Sequence, residues 1–297
     1  MSIEVMGVSK EYGAQTALNE VSFSLKKGEI VGFLGPNGAG KSTMMKILTG
    51  YIKPSKGSVA VNEIDVLNNA NEAQHHIGYL PEHNPLYLDL YVKEYLAFQA
   101  SIYKIEKSKV NSVIEQVGLT PEKHKKIGQL SKGYQQRVGL AAAIIHNPDV
   151  LILDEPTTGL DPNQLMEIRA LLKELGKEKT ILFSTHIMQE VEAICDRVII
   201  IQKGELMLDK PIAGLKENNE QVIEVTFDYK LEEQFIKKLP HLISHSNNYD
   251  NTWHLTFKAN EDMRPVIFDF AQENGLKILE LNSKNQSLEN LFKEITN

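Results

Sequence analysis

A chain of 297 residues, 42% hydrophobic and 24% charged, has enough apolar material for a sizeable core and the composition of an ordinary globular protein, in one large domain or two smaller ones. A formal charge of −7 excludes broad attraction to a phosphate backbone. The lysine clusters at Lys104, Lys107 and Lys109 and at Lys123, Lys125 and Lys126 stand among acidic or polar neighbours and read as solvated surface, so no nucleic-acid partner is expected.

The N-terminal run MSIEVMGVSKEYG carries charges and no apolar stretch leading to a small-residue cleavage site, so it does not read as a secretory signal. The longest apolar runs, at 140–145 and 198–201, fall far short of the roughly 20 residues a membrane-crossing helix needs. The expectation is a cytoplasmic chain that borrows any membrane role from a partner. Its one cysteine, Cys195 in MQEVEAICDRVII, reads as a buried structural thiol.

In chain order, the first 30 residues alternate strand-like segments (SIEVMGV, ALNEVSFSL) with turn signals at Tyr12-Gly13 and Lys27-Gly28, which predicts antiparallel hairpins at one edge. EIVGFL at 29–34 is a short apolar strand that runs into GPNGAGKST and then into MMKILTGY with helical spacing. From about 85 to 146 the pattern is almost wholly helical, an inserted helical segment. Strands then alternate with helices again: strand 150–153, helix 163–175, strand 180–184, helix from about Met188, strand 198–202. That alternation predicts an α/β chain with a doubly wound, mixed sheet and ligands at the carboxyl ends of its strands. The polar run KENNEQ after Leu215 marks a linker. Beyond it, strand 222–227, helix 231–238, strands 242–244 and 252–257, helix 263–273, strand 277–281 and a final helix from Ser287 give the β-α-β-β-α-β order of a small split-βαβ, ferredoxin-like domain. The boundaries so read are 1–215 and 220–297.

Gly35, Gly40, Lys41 and Ser42 fit G-x-x-x-x-G-K-[ST], with a strand before and a helix after. Gly35, Gly38 and Gly40 let the backbone turn successive N–H groups toward phosphates, and the helix N-terminus adds the positive end of its dipole. Lys41 has the reach for β- and γ-phosphates, Ser42 the hydroxyl for Mg²⁺, and Thr43 a hydrogen bond for a phosphate oxygen. At LILDE, an apolar strand ends in two acids. Alone, such a pair is more often a helix cap or solvated turn, but beside a phosphate loop it assigns Asp154 to the metal and Glu155 to the general base. His186 follows the strand TILFST and so lies near the same ligand edge, although a lone histidine is usually a core or surface residue. His75, His76 and His83 have no Cys or carboxylate at zinc-ligand spacing and read as surface or loop residues.

With these parts placed, the chain resembles the nucleotide-binding subunits of ABC transporters, over residues from about 2 to 215. The discriminating motif is LSKGYQQ at 130–136, similar to the ABC signature LSGGQ. The resemblance implies a P-loop ABC-type ATPase core and an enzyme that hydrolyses ATP with Mg²⁺. It implies that Tyr12 stacks on adenine, worth on the order of 1–3 kcal/mol, and that residues 35–43, Asn37 among them, cradle the phosphates. Ser131 and Gly133 would cap the γ-phosphate held by a second subunit, an identical copy in a homodimer; Asp161, in GLD, would sit at the dimer junction; His186 would be the switch histidine. The remaining partner implied is an integral membrane permease, which would hold the chain at the inner face of the cell membrane. Lys132 and Tyr134 depart from the consensus, which has Gly and then Gly or Gln there. In IGYLPE, Glu82 replaces the family's usual Gln; it could still accept a hydrogen bond or touch the metal, but adds negative charge beside Asp154 and Glu155. GYLPEHNPLY, LSKGYQQRVGLA and the ending SLENLFKEIT resemble exporter-type subunits, and among those the gliding-motility-associated ATP-binding subunits. The rival reading is a soluble ABC ATPase acting on nucleic acid or ribosomes; such proteins carry two ATPase units or a long coiled coil, and neither pattern occurs here.

Overall fold

The hairpin read at the N-terminus forms: β1 (Ile3–Tyr12) and β2 (Gln15–Leu25) pair antiparallel, with Tyr12 opposite Gln15 across a turn in which Gly13 takes φ 59°. The computed structural model describes residues 1–216, 220–249, 251–259, 261–283 and Phe292. The elements that follow are β3 (Ile30–Leu34), α1 (Lys41–Leu48), β4 (Lys56–Val61), β5 (Ile64–Asp65), α2 (Ala70–His75) and β6 (Ile77–Leu80). Next come α3 (Val92–Ile102), α4 (Lys107–Gln116) and α5 (Lys132–Ile144), the helical segment expected from the sequence, with two single 3-10 turns between α4 and α5. The chain continues through β7 (Val150–Asp154), α6 (Pro162–Gly176), β8 (Thr180–Thr185), α7 (Met188–Ile194), β9 (Arg197–Gln202), β10 (Glu205–Pro211) and α8 (Ile212–Lys216).

The central sheet has strand order β10-β9-β3-β8-β7-β6, parallel except for the antiparallel edge strand β10. β3, β7 and β8 are buried at every position, as a parallel sheet with both faces covered requires. The N-terminal hairpin does not extend this sheet. The free edge of β1 is taken by β4, and the strands β2-β1-β4-β5 make an antiparallel sheet of their own. One apolar cluster joins Val5, Phe23 and Val59 of that sheet to Met44 and Met45 of α1 and to Phe33, Ile152, Leu182 and Ile199 of the central sheet. Cys195 is buried at the end of α7, where burial pushes its thiol well above the ordinary range, in keeping with a structural residue.

Two compact units make up the chain, Met1–Ile212 and Ala213–Asn297. The second holds β11 (Glu220–Phe227), α9 (Glu233–Ile236), β12 (Leu242–Tyr249), β13 (Thr252–Lys258), α10 (Arg264–Glu273) and β14 (Ile278–Ser283). Its sheet is antiparallel, in the order β12-β13-β11-β14, around a separate core that includes Phe227, Ile236, Trp253, Leu255, Phe257 and Ile267. That is the expected split-βαβ order. α9 is shorter than the sequence pattern, ending at Ile236. β12 is longer, carried by its pairing with β13. The helix expected from Ser287 lies outside the described residues apart from Phe292.

Candidate active site

β3 ends at Leu34, and residues 35–40 turn the chain into α1. Gly40 is the N-cap of α1 at φ 106°, a backbone that side chains rarely adopt, and a Cβ there would lie 2.6 Å from the carbonyl oxygen of Ala17. No side chain caps this helix, so its first N–H groups are open to an anion. The Lys41 side chain folds back over the loop, 6% exposed. Its Nζ donates to Gly35 O at 2.8 Å and Pro36 O at 3.3 Å and lies 3.6 Å from Glu155 Oε1. A buried ammonium held mostly by neutral carbonyls is electrostatically ready for an anionic ligand.

The two acids leave the end of β7 in different directions. Asp154, 2% exposed, stays on the strand and accepts a hydrogen bond from the Ser184 hydroxyl of β8. Glu155 takes φ 52°, in the left-handed region uncommon for non-glycine residues and worth about 1–3 kcal/mol of strain. Its N–H is held by Ser184, at 3.1 Å to the carbonyl and 3.2 Å to Oγ. Its carboxylate accepts from Thr158 Oγ1 at 3.2 Å, and His186 Nδ1 lies 3.0 Å from both oxygens, which assigns the ring proton to Nδ1. His186 is 46% exposed and Glu155 is 7% exposed: one faces the opening, the other the floor.

Lys41, Glu155, Thr158 and His186 line one cleft of about 650 Å³ with Tyr12, Gln15, Ala17, Asn37, Gly38, Gly40, Ser42, Thr43 and Glu82, whereas the buried Asp154 is not part of its lining. The carboxyl ends of the adjacent strands β3, β8, β7 and β6 supply its phosphate loop, His186, Glu155 and Glu82. Tyr12 enters from the β1–β2 turn, half-exposed, with Lys10 Nζ 5.1 Å from its ring centroid. Gly35 lies beneath the loop, where a Cβ would come within 2.5 Å of Ile201 O. Glu82 also lines a neighbouring cleft of about 300 Å³ with Lys132 and Thr158. Burial first, then the charge of Asp154 and, more weakly, Tyr51 and Glu82, push the nearby Tyr79 phenol far above its ordinary range, so it stays a neutral hydroxyl.

Ser131, Gly133 and Asp161 do not line the 650 Å³ cleft. Ser131 is the N-cap of α5 and Asp161 the N-cap of α6, and the Gln164 side chain bridges them. Sequence reasoning did not single out Gln15, Ala17, Thr158 or Gln164. The first is paired with Tyr12 across a turn, and Thr158 stands three residues after Glu155, so both could have been found by asking what a turn brings back to a candidate residue.

A strand, glycine loop and helix carrying a buried lysine, with an Asp-Glu pair on a neighbouring parallel strand, define a phosphate-loop nucleotide hydrolase. The model of the ABC transporter family matches residues 18–158. The bacitracin transport ATP-binding protein BcrA of Bacillus licheniformis is 35% identical over 297 residues, covering 98% of this chain and 95% of that protein. The linearmycin resistance ATP-binding protein LnrL of Bacillus subtilis (strain 168) is 32% identical, over 99% and 98%. Among solved structures, a dimeric ATP-binding cassette in a post-hydrolysis state with ADP and Pi superposes with a TM-score of 0.65 at 27% identity, covering 71% of this chain and 98% of that one. The chain therefore belongs to the ATP-binding subunits of ABC transporters, and it is an ATPase. Among the described residues, no helix is long and apolar enough to cross a membrane.

Proposed function

We propose that two copies of the chain close on two ATP molecules and, through a membrane permease, convert that closure into outward transport. One observation carries the reading: the phosphate loop, Glu155 and His186 line a single cleft, while Ser131, Gly133 and Asp161 are gathered outside it. A site divided in this way is completed by a second copy. Backbone N–H groups of residues 35–43 and the Lys41 ammonium hold the phosphates, and the exposed face of Tyr12 stacks on the base. Across the junction, Ser131 and Gly133 of the other copy meet the terminal phosphate, with Asp161 beside them.

Ser42, Asp154 and Glu82 would supply oxygen donors of the kind that suits Mg²⁺. Bound there, the ion would offset charge on the phosphate oxygens. Glu155 orients a water molecule and accepts its proton as the oxygen attacks the γ-phosphorus and the bond to ADP breaks. His186, hydrogen-bonded to Glu155, holds the carboxylate in place and faces the γ-phosphate. Resistance to linearmycin in LnrL and bacitracin transport in BcrA support export and attachment to the inner face of the cell membrane through a permease. Of the relatives named above, none is described by gliding motility, so that narrower likeness rests on the sequence wording alone.

Substituting Glu155 by Gln should keep ATP affinity while slowing hydrolysis roughly 10²–10⁴-fold, the usual size of a general-base contribution. Single-turnover hydrolysis with parallel nucleotide-binding titration checks this, and unchanged turnover removes Glu155 from the role. Pull-down of the tagged Glu155→Gln chain from detergent-solubilised native membranes should recover a multi-span membrane protein. Recovery of soluble partners only, with salt-sensitive nucleic-acid binding, would favour an ATPase without a permease.

A further inference from the structure

The N-termini of α5 and α6 are joined by one side chain whose hydrogen bonds are directional. Gln164 Oε1 accepts the Asp161 N–H at 3.4 Å, and Asp161 Oδ1 accepts the Gln164 N–H at 2.9 Å, the two halves of a capping box. With Oε1 committed, the amide has one orientation, and Nε2 donates to Ser131 Oγ at 3.3 Å. Ser131 Oγ also accepts the Tyr134 N–H at 3.4 Å, as the cap of its own helix.

A hydroxyl oxygen accepts through two lone pairs and donates through one hydrogen. Both acceptor positions of Ser131 are therefore filled from within the chain, and among the described residues no acceptor takes its hydrogen. Ser131 is exposed, so that hydrogen points outward. Gly133 supports the arrangement from below: a Cβ there would lie 2.4 to 2.7 Å from the amide carbon, oxygen and nitrogen of Gln164. Gly133 does not have the positive φ that favours glycine. The Gln164 amide is seated on it, so a side chain at that position would require that amide to move aside.

We propose that Gln164 is a positioning residue for ATP-driven closure: by occupying the acceptor side of Ser131, it presents the Ser131 hydroxyl as a donor to the terminal phosphate held by the other copy. This rests on the reading above that Ser131 meets that phosphate. The direction of the O–H dipole decides the sign of the contact. A hydrogen facing an anionic oxygen makes a charge-assisted bond, whereas lone pairs facing it repel.

Gln164→Glu tests the direction of the bond and leaves the cap in place. Glutamate closes a capping box as glutamine does, but its carboxylate only accepts, so it draws the Ser131 hydrogen inward. Gln164→Met removes the donor without adding charge. In the Glu155→Gln background, the ATP concentration for half-maximal dimerisation is read by sedimentation, with a thermal melt of each variant and Ser131→Ala as reference. Both Gln164 variants should raise that concentration about ten- to a hundredfold, as expected for one hydrogen bond to a charged group, and Gln164→Glu should melt with the parent. If Ser131→Ala weakens dimerisation while Gln164→Met does not, the inference is overturned and the role of Ser131 stands. An effect confined to Gln164→Glu is charge repulsion and overturns it too. Dimerisation unaltered by Ser131→Ala overturns the reading on which the inference rests.

Discussion

His146 shows how a single side chain records its surroundings in its titration. It stacks on Tyr103 with ring centroids 4.0 Å apart and planes 5° off parallel, and Nε2 donates to Ile77 O at 3.1 Å. Its Nδ1 is buried without a described partner. Burial, the largest cause, lowers its pKa to about 4, with His75 and Lys179 lowering it further and the bond to Ile77 opposing. The folded chain thus holds the ring neutral where the unfolded chain, with an ordinary histidine pKa near 6.5, takes up a proton. Stability present above pH 6.5 should fall as the pH drops from 6.5 toward 4. A thermal-melt series across that window should show the decline, and His146→Gln should flatten it; an unchanged slope would assign the decline to other groups. The candidate site residues were easier to read than His146. Lys41, Ser42, Asp154 and Glu155 sit in short contiguous motifs whose local geometry does not wait on the rest of the fold. Nothing in the local sequence around His146 says that Tyr103 will lie over it.

At the scale of elements, the site depends on β6 lying close against α5, since Glu82 follows β6 and the signature opens α5. Gly78 makes the approach possible: a Cβ there would come within 2.2 Å of Ala143 O and 2.7 Å of Leu151 Cδ2. Backbone cannot yield as a side-chain tip does, so Gly78→Ala should force the two elements apart. The expected cost is about 1–3 kcal/mol in a urea unfolding series, together with lower ATPase turnover at saturating ATP. Stability equal to wild type would mean the strand and helix shift without loss. β6 itself was not read from the sequence, because IGYL is a four-residue run with a glycine at its second position and offers no usable period. β5, two residues long, escaped for the same reason of length, whereas α5 and α6 carry three or more turns of helical spacing.

For the whole molecule, the chain's one tryptophan, Trp253, is buried in the core of the second unit, while every residue lining the 650 Å³ cleft belongs to the first. Tryptophan fluorescence therefore reports the second unit, and far-ultraviolet circular dichroism reports both. With two separate cores, equilibrium unfolding in urea should give a fluorescence midpoint distinct from the main dichroism transition. Coincident curves would show that the two units unfold as one. By itself the sequence determined the phosphate loop, the Asp-Glu pair, the signature segment and the order of the strands and helices with a clear pattern, because each is set by neighbours within a few residues along the chain. Only the tertiary structure decided that the hairpin makes its own sheet, that His186 and Thr158 meet Glu155, and that Gln164 reaches Ser131. Contacts of that kind depend on strand order, register and helix packing, which arise from burial summed over the whole core and are carried by no single segment.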